Sequence, residues 1–168
     1  MNRSERLDFV LRRNTGHMRM HAVLADLSAQ WGCVLTPEDV GPLEAGDELR
    51  AIAHSPGLAF RAWEVSAEAA LEHAIGALGQ RIEPDGVFFL PYFEDQLGPI
   101  RIDPRSVFPH ATATARGRSE EFLACSATGG DGIFLMYHQN DAERGDPFPI
   151  ELAIWGSSWL GVAEEVMP

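Results

Sequence analysis

The sequence predicts an α+β fold, with N-terminal helices packed on a mostly antiparallel sheet formed by the second half of the chain. Three observations carry that expectation. Apolar residues recur at helical spacing through the first half, as in Met20, Val23, Leu24, Leu27 and Trp31. After about residue 80 the period changes: Asp85-Gly86 and Asp131-Gly132 are turn dipeptides, followed at once by the β-rich runs Val87-Phe88-Phe89-Leu90 and Ile133-Phe134-Leu135-Met136-Tyr137. The length of 168 residues, 45% hydrophobic and 23% charged, fits one globular domain spanning 1–168 around a single core.

Taken in order, Ser4 caps a short first helix carrying Leu7, Val10 and Leu11. Arg12-Arg13-Asn14-Thr15-Gly16 closes it, since cations suit a helix C-terminus and glycine the turn beyond. A second helix runs from His17 to Trp31 and stops at Gly32. Thr36-Pro37-Glu38-Asp39 reads as another helix start, because Thr caps, Pro fits the first position and two carboxylates face the positive helix end; Gly41-Pro42 then interrupts it. Phe60 and Trp63, between Leu58 and Val65, predict a strand. Ser66 starts a helix with Ala70, Leu71, Ala74, Ile75 and Leu78 inward and Gly79 at its end. Ile100-Arg101-Ile102 and Ile150 to Trp155 are later strands, reached through acidic loops containing Glu94-Asp95 and the run Asp141 to Asp146. Pro104 to Arg118, with two prolines, Ala-Thr repetition and few large apolar residues, reads as a mobile loop.

Charge narrows the function classes. Acidic residues outnumber basic ones 25 to 13, for a formal charge of −12. Such a field repels nucleic acid and anionic lipid and attracts cationic surfaces. All the basic residues are Arg, and the first 21 residues hold five of them against Glu5 and Asp8, so the body beyond Ala22 is more acidic than the total implies. Two cysteines, Cys33 and Cys125, make no disulfide framework, and no signal-peptide core follows Met1-Asn2-Arg3-Ser4-Glu5-Arg6, so a cytoplasmic location is expected. The longest apolar runs fall short of the roughly 20 residues that span a bilayer, so no membrane association is expected.

Few motifs carry chemistry. His17 and His21 share a helix face, as metal ligands would, but Met18 stands where the metalloprotease motif has glutamate and no third ligand is placed by spacing; no metal is expected. No Gly-x-Ser-x-Gly elbow exposes a serine. Cys125 pairs on paper with His110 or His138, yet Phe122-Leu123-Ala124-Cys125 reads as core. Gly129-Gly130-Asp131-Gly132 lacks the Lys-Ser/Thr ending of a phosphate loop and is better read as a hairpin turn. Nothing calls for a cofactor. Trp155-Gly156-Ser157-Ser158-Trp159 puts two tryptophans around a turn, either as core or as an exposed aromatic anchor of the kind found at interfaces.

Two stretches resemble the SUKH superfamily, whose bacterial members are largely immunity proteins that bind and block a cognate toxin. Leu24-Ala25-Asp26-Leu27 with Trp31-Gly32-Cys33-Val34-Leu35-Thr36-Pro37-Glu38-Asp39 is similar to that family's helix, glycine, proline and acidic helix start. Phe122 to Cys125 followed by Gly129-Gly130-Asp131-Gly132-Ile133-Phe134-Leu135 resembles its strand, Gly-Gly-Asp turn and strand. Trp159 to Val166 stands where that family's closing segment lies, and with it the resemblance covers under a quarter of the chain. With the acidic body, it points to a non-enzymatic immunity or antitoxin-like protein that sterically neutralises a basic toxin. Acidic loops would fill a cationic cleft, through Glu94, Asp95, Asp141, Glu143 and Asp146, with Trp155 or Trp159 as anchor. A monomer or weak homodimer is expected. The rival readings are a small hydrolase using His110 or His138, and a regulatory subunit dimerising through Trp155 to Trp159.

Overall fold

One unbroken helix stands where the sequence suggested two. In a computed structural model, which describes residues 3–55, 60–65, 68–92, 96–117, 120–137 and 150–167, α1 spans Arg3–Trp31. Gly16 lies inside it and is buried, because a Cβ there would collide with the carbonyl oxygen of Gln96. The glycine serves a close approach between helix and loop and does not stop the helix. Val23, Leu24, Leu27 and Trp31 form the core face. The Trp31 indole sits edge-on to Phe89 at 5.2 Å, and its Nε1–H donates to Thr114 Oγ1 at 2.8 Å. Gly32, at φ +65°, ends the helix as expected.

Pro37–Asp39 forms a single 3₁₀ turn, tied by the Asp39 carboxylate, which accepts from the Thr36 N–H at 2.9 Å and from Arg101 Nη2 at 3.1 Å. Gly41-Pro42 then introduces a helix instead of ending one: α2 covers Leu43–Ala53, with Pro42 at its N-cap. Proline is tolerated there because the first amides of a helix have no intrahelical acceptor.

The remaining elements are β1 (Phe60–Val65), α3 (Glu68–Arg81), β2 (Val87–Phe89), β3 (Ile100–Arg101), α4 (Pro104–Val107), α5 (Ala111–Gly117), β4 (Glu121–Ser126), β5 (Gly132–Tyr137), β6 (Ile150–Trp155) and α6 (Ser157–Val166). The six strands form one sheet in the order β1-β6-β5-β4-β2-β3, antiparallel throughout. The fold is therefore α+β, as predicted, with one edge strand, β1, drawn from the first half.

Two local expectations are corrected. Pro104 to Gly117 is not a loop but α4, a 3₁₀ turn at Phe108–His110 and α5. Asp103 caps α4 by accepting from the Arg105 N–H at 2.9 Å. Phe108, Ala111 and Ala115 are buried, and the buried hydroxyl of Thr114 donates to the His110 carbonyl, so small residues let this layer lie close to the sheet with its polar groups satisfied. Gly79 likewise does not end α3; it passes under the Pro104 carbonyl oxygen and the Phe108 Cβ, which an added Cβ would meet at 2.6 and 2.8 Å.

The sheet is covered on both faces but unequally. Phe122, Ala124, Ile133, Leu135, Leu152 and Ile154 point to the main core, shared with α3, α5, α6 and the C-terminal half of α1. On the other face a smaller cluster of Leu49, Leu90, Leu123, Cys125 and Trp155 lies under α2. Among the described residues no helix is long and apolar enough to cross a membrane.

Candidate functional site

The part of the second face that α2 leaves uncovered is the candidate site. Successive residues of a strand point to opposite faces, so register decides what this surface presents. One cross-strand row is Ala62, Ala153, Phe134 and Leu123. The row on one side of it contains Phe60, Trp155, Gly132 and Cys125, and the row on the other contains Glu64, Glu151, Met136 and Glu121. An apolar band thus lies beside a row that carries Glu121 and Glu151. Phe60 is 66% exposed and Ala62 is exposed; Phe134, Met136, Ala153, Glu121 and Glu151 are half-buried.

At the edge of α2 the band deepens into a cavity of about 260 Å³ between Ala53, His54 and Ser55 on one side and Phe60, Phe134 and Trp155 on the other. The His54 and Phe134 rings meet edge to face at 6.4 Å. Below, Cys125 is buried, and burial pushes its thiol up to about 12. It stays protonated and inert at neutral pH, as its core position predicts.

The two tryptophans are not exposed anchors. Trp155 is 3% and Trp159 5% exposed. The Trp155 indole rests on Gly132, where a Cβ would collide with the ring, and its Nε1–H donates to the Gly129 carbonyl at 2.9 Å. Gly156, at φ +85°, turns the chain into α6, whose first turn is capped from afar: Asp131 Oδ1 accepts from the Ser158 N–H at 2.9 Å and the Trp159 N–H at 3.1 Å. Trp159 then packs edge-on to Phe108. The Gly-Gly-Asp-Gly turn and the Trp-Gly-Ser-Ser-Trp corner are one structural joint, and of the proposed anchors only Trp155 reaches the site, as the floor of the cavity.

Glu94, Asp95, Asp141, Glu143 and Asp146 lie outside the described residues, as does His138. The chain leaves the sheet toward the last three of these carboxylates at Tyr137 and returns at Ile150, a register pair next to Met136 and Glu151. That end is braced from the core side. The Tyr137 hydroxyl donates to Glu68 Oε1 at 2.7 Å, Arg116 pairs with Glu68 and lies over the Tyr137 ring, and Thr112 donates to Glu72 at 2.6 Å. Burial, reinforced by the Glu68 carboxylate, raises the Tyr137 phenol above its ordinary range, so it remains a neutral donor.

His17 and His21 are exposed on α1, and His110 is half-buried with its carbonyl engaged by Thr114. Among the described residues no group of three His, Cys, Asp or Glu side chains is placed to hold a metal ion. Cys33 borders a second cavity of about 280 Å³ with Asp39 and Arg101; burial raises its thiol, and the Asp39 carboxylate adds to the effect.

Of the residues that form the open face, Phe60, Phe134 and Met136 entered the sequence reading only as strand formers, and Ala62, Ala153, Glu121 and Glu151 were not singled out. The signal was present as alternation in Glu121-Phe122 and Ile150-Glu151-Leu152, but only the register brings them together. Comparison with known protein families, with curated proteins and with solved structures gives no match to this chain.

Proposed function

We propose that the chain is an immunity-like protein that neutralises a basic toxin by covering it with the open sheet face. The observation that carries the reading is the juxtaposition of an uncovered apolar band with a glutamate row on a rigid six-stranded sheet. An apolar centre supplies contact area, and a flanking row of one sign steers a cationic partner and rejects anionic ones. The net charge of −12 acts in the same direction at long range. The likeness of residues 24–39 and 122–135 to the SUKH superfamily supports the same class of function. Neutralisation is steric: the partner's cationic cleft is occluded by the face, and Asp141, Glu143 and Asp146, which follow β5 at the acidic end, extend the same chemistry.

The test is titration of the basic protein recovered with this chain from its source cells, at low and high salt. A one-to-one complex that weakens with salt is expected. Phe60→Asp should weaken it at least about tenfold, as loss of a large apolar side chain from an interface does. Glu121→Gln with Glu151→Gln should slow association, since steering charges act mainly on the on-rate. Glu83→Gln, on an exposed residue away from the face, should change nothing. A complex indifferent to both Phe60→Asp and the double glutamine variant would remove the sheet face as the binding site.

A further inference from the structure

The outer side of α1 carries apolar residues that the fold does not use. Leu7, Leu11 and Met18 are 60%, 54% and 77% exposed. At about 100° per residue they fall within an arc of roughly 40°, on the side of the helix opposite Val23, Leu27 and Trp31. Asn14, Ala22, Ala25 and Ala29, all exposed, continue the same stripe. A helix that is apolar on two opposite sides is one whose second side is covered by something.

The stripe is self-complementary. Its positions 7, 11, 14, 18, 22, 25 and 29 are separated by four, three, four, four, three and four residues, a series that reads the same in both directions around Met18. When two copies of the helix run antiparallel with Met18 on the two-fold axis, Leu7 of one faces Ala29 of the other, Leu11 faces Ala25, and Asn14 faces Ala22. On either side of the Met18–Met18 contact at the dyad, larger side chains oppose alanines, the pairing that lets helices approach closely. The mean spacing is about 3.67 residues, an eleven-residue repeat from Leu7 through Met18 to Ala29, so the pair winds with at most a slight right-handed supercoil.

We infer that this chain forms a homodimer through an antiparallel α1–α1 pair with Met18 at the dyad. Charge selects the same contact. The first 21 residues carry five Arg against two carboxylates in a chain of net charge −12, so two copies meeting through α1 bring together their least acidic surfaces. From Leu7 to Ala29 the seam is about 33 Å long. Such a helix pair buries roughly 1,000 Å² in total, the lower bound of specific interfaces, the size range of weak, reversible complexes. No residue of the seam belongs to the sheet face.

Sedimentation of the full chain from about 1 to 200 μM reads the equilibrium directly. A monomer–dimer transition is expected, and it should disappear in Leu11→Glu with Met18→Glu, two exposed changes that leave the circular dichroism spectrum intact. Geometry is read by cysteine pairs on a Cys33→Ser background, in which the remaining Cys125 is buried. Met18→Cys should oxidise to a covalent dimer, and Leu7→Cys should cross-link with Ala29→Cys but not with itself. A chain that stays monomeric throughout, a dimer unaffected by the two glutamates, or a Leu7→Cys self-cross-link would each overturn the inference.

Discussion

Replacing Asp131 isolates the joint between the hairpin turn and the last helix. Its Oδ1 accepts from the second and third amides of α6, at 2.9 and 3.1 Å, and contributes a negative charge at the helix N-terminus. Gly156, the residue at the N-cap itself, has no side chain to do this. Loss of a side-chain cap costs about 1 kcal/mol, and loss of a carboxylate from the positive end of the helix about 0.5 kcal/mol more. Asp131→Ala should therefore destabilise the fold by about 1.5 kcal/mol, which for a chain of this length lowers the melting temperature by roughly 3–6 °C. Asp131→Asn keeps the acceptor and loses only the charge, so it should cost about 0.5 kcal/mol. Urea titration followed by circular dichroism at low salt gives both values. An alanine variant within about 0.3 kcal/mol of the wild type would refute the cap; an asparagine variant as damaging as alanine would show that charge, and not the hydrogen bonds, carries the effect.

Four further outcomes follow from individual residues. Gly16→Ala, which in an open helix would add up to about 1 kcal/mol of stability, should destabilise the protein because its methyl collides with the Gln96 carbonyl. Gly161→Ala in α6, where a Cβ meets nothing within 4 Å, should stabilise by roughly 0.5–1 kcal/mol; chemical denaturation of the pair tests the opposite signs. Thr114→Val leaves the buried Trp31 Nε1–H without its acceptor and should cost about 2 kcal/mol, with a change in tryptophan fluorescence as the second readout. Asp39 is held below the usual carboxylate range, chiefly by the Thr36 N–H and then by Arg101. A depressed carboxyl stabilises the fold above its unfolded value of about 4, and this contribution is lost as pH falls through the folded value. Asp39→Asn should thus be less stable than wild type at pH 6, by a gap that narrows as pH falls below about 4 toward the folded value.

The strands were legible because turn dipeptides and apolar runs are local signals: Val87 to Phe89, Ile133 to Tyr137 and Ile150 to Trp155 all fall where pattern places them. The glycines were not. Gly16 and Gly79 look like helix stops in the sequence, yet each is a close-approach site whose reason lies far along the chain, at Gln96 and at Pro104 with Phe108. Gly32, with no such neighbour, behaved as a stop. Pro104 to Gly117 failed as a loop because alanine and threonine look uncommitted until a sheet is present for them to pack on. The site was hidden for a related reason. Its rows combine β1 near residue 62 with strands between residues 121 and 155, and a single-residue slip in that pairing would send Phe134 and Ala153 to the core face.

Two apolar surfaces on one small protein would invite aggregation unless something kept them apart, and here charge does so. The sheet band is bordered by Glu121 and Glu151, so two such faces repel each other, and under the proposed function the same carboxylates favour a cationic partner. The α1 stripe begins in the arginine-bearing start of the chain, so two copies meeting through α1 as inferred would not incur that penalty. The two contacts should therefore respond to salt in opposite directions. Added salt screens the attraction between the acidic face and a basic partner and weakens that complex, while it also screens the repulsion between two bodies of charge −12 and strengthens the dimer. Partner affinity and self-association measured across one salt series test this directly, because a single shared surface would force both to compete for the same residues, and two separate surfaces leave each free to follow its own electrostatics.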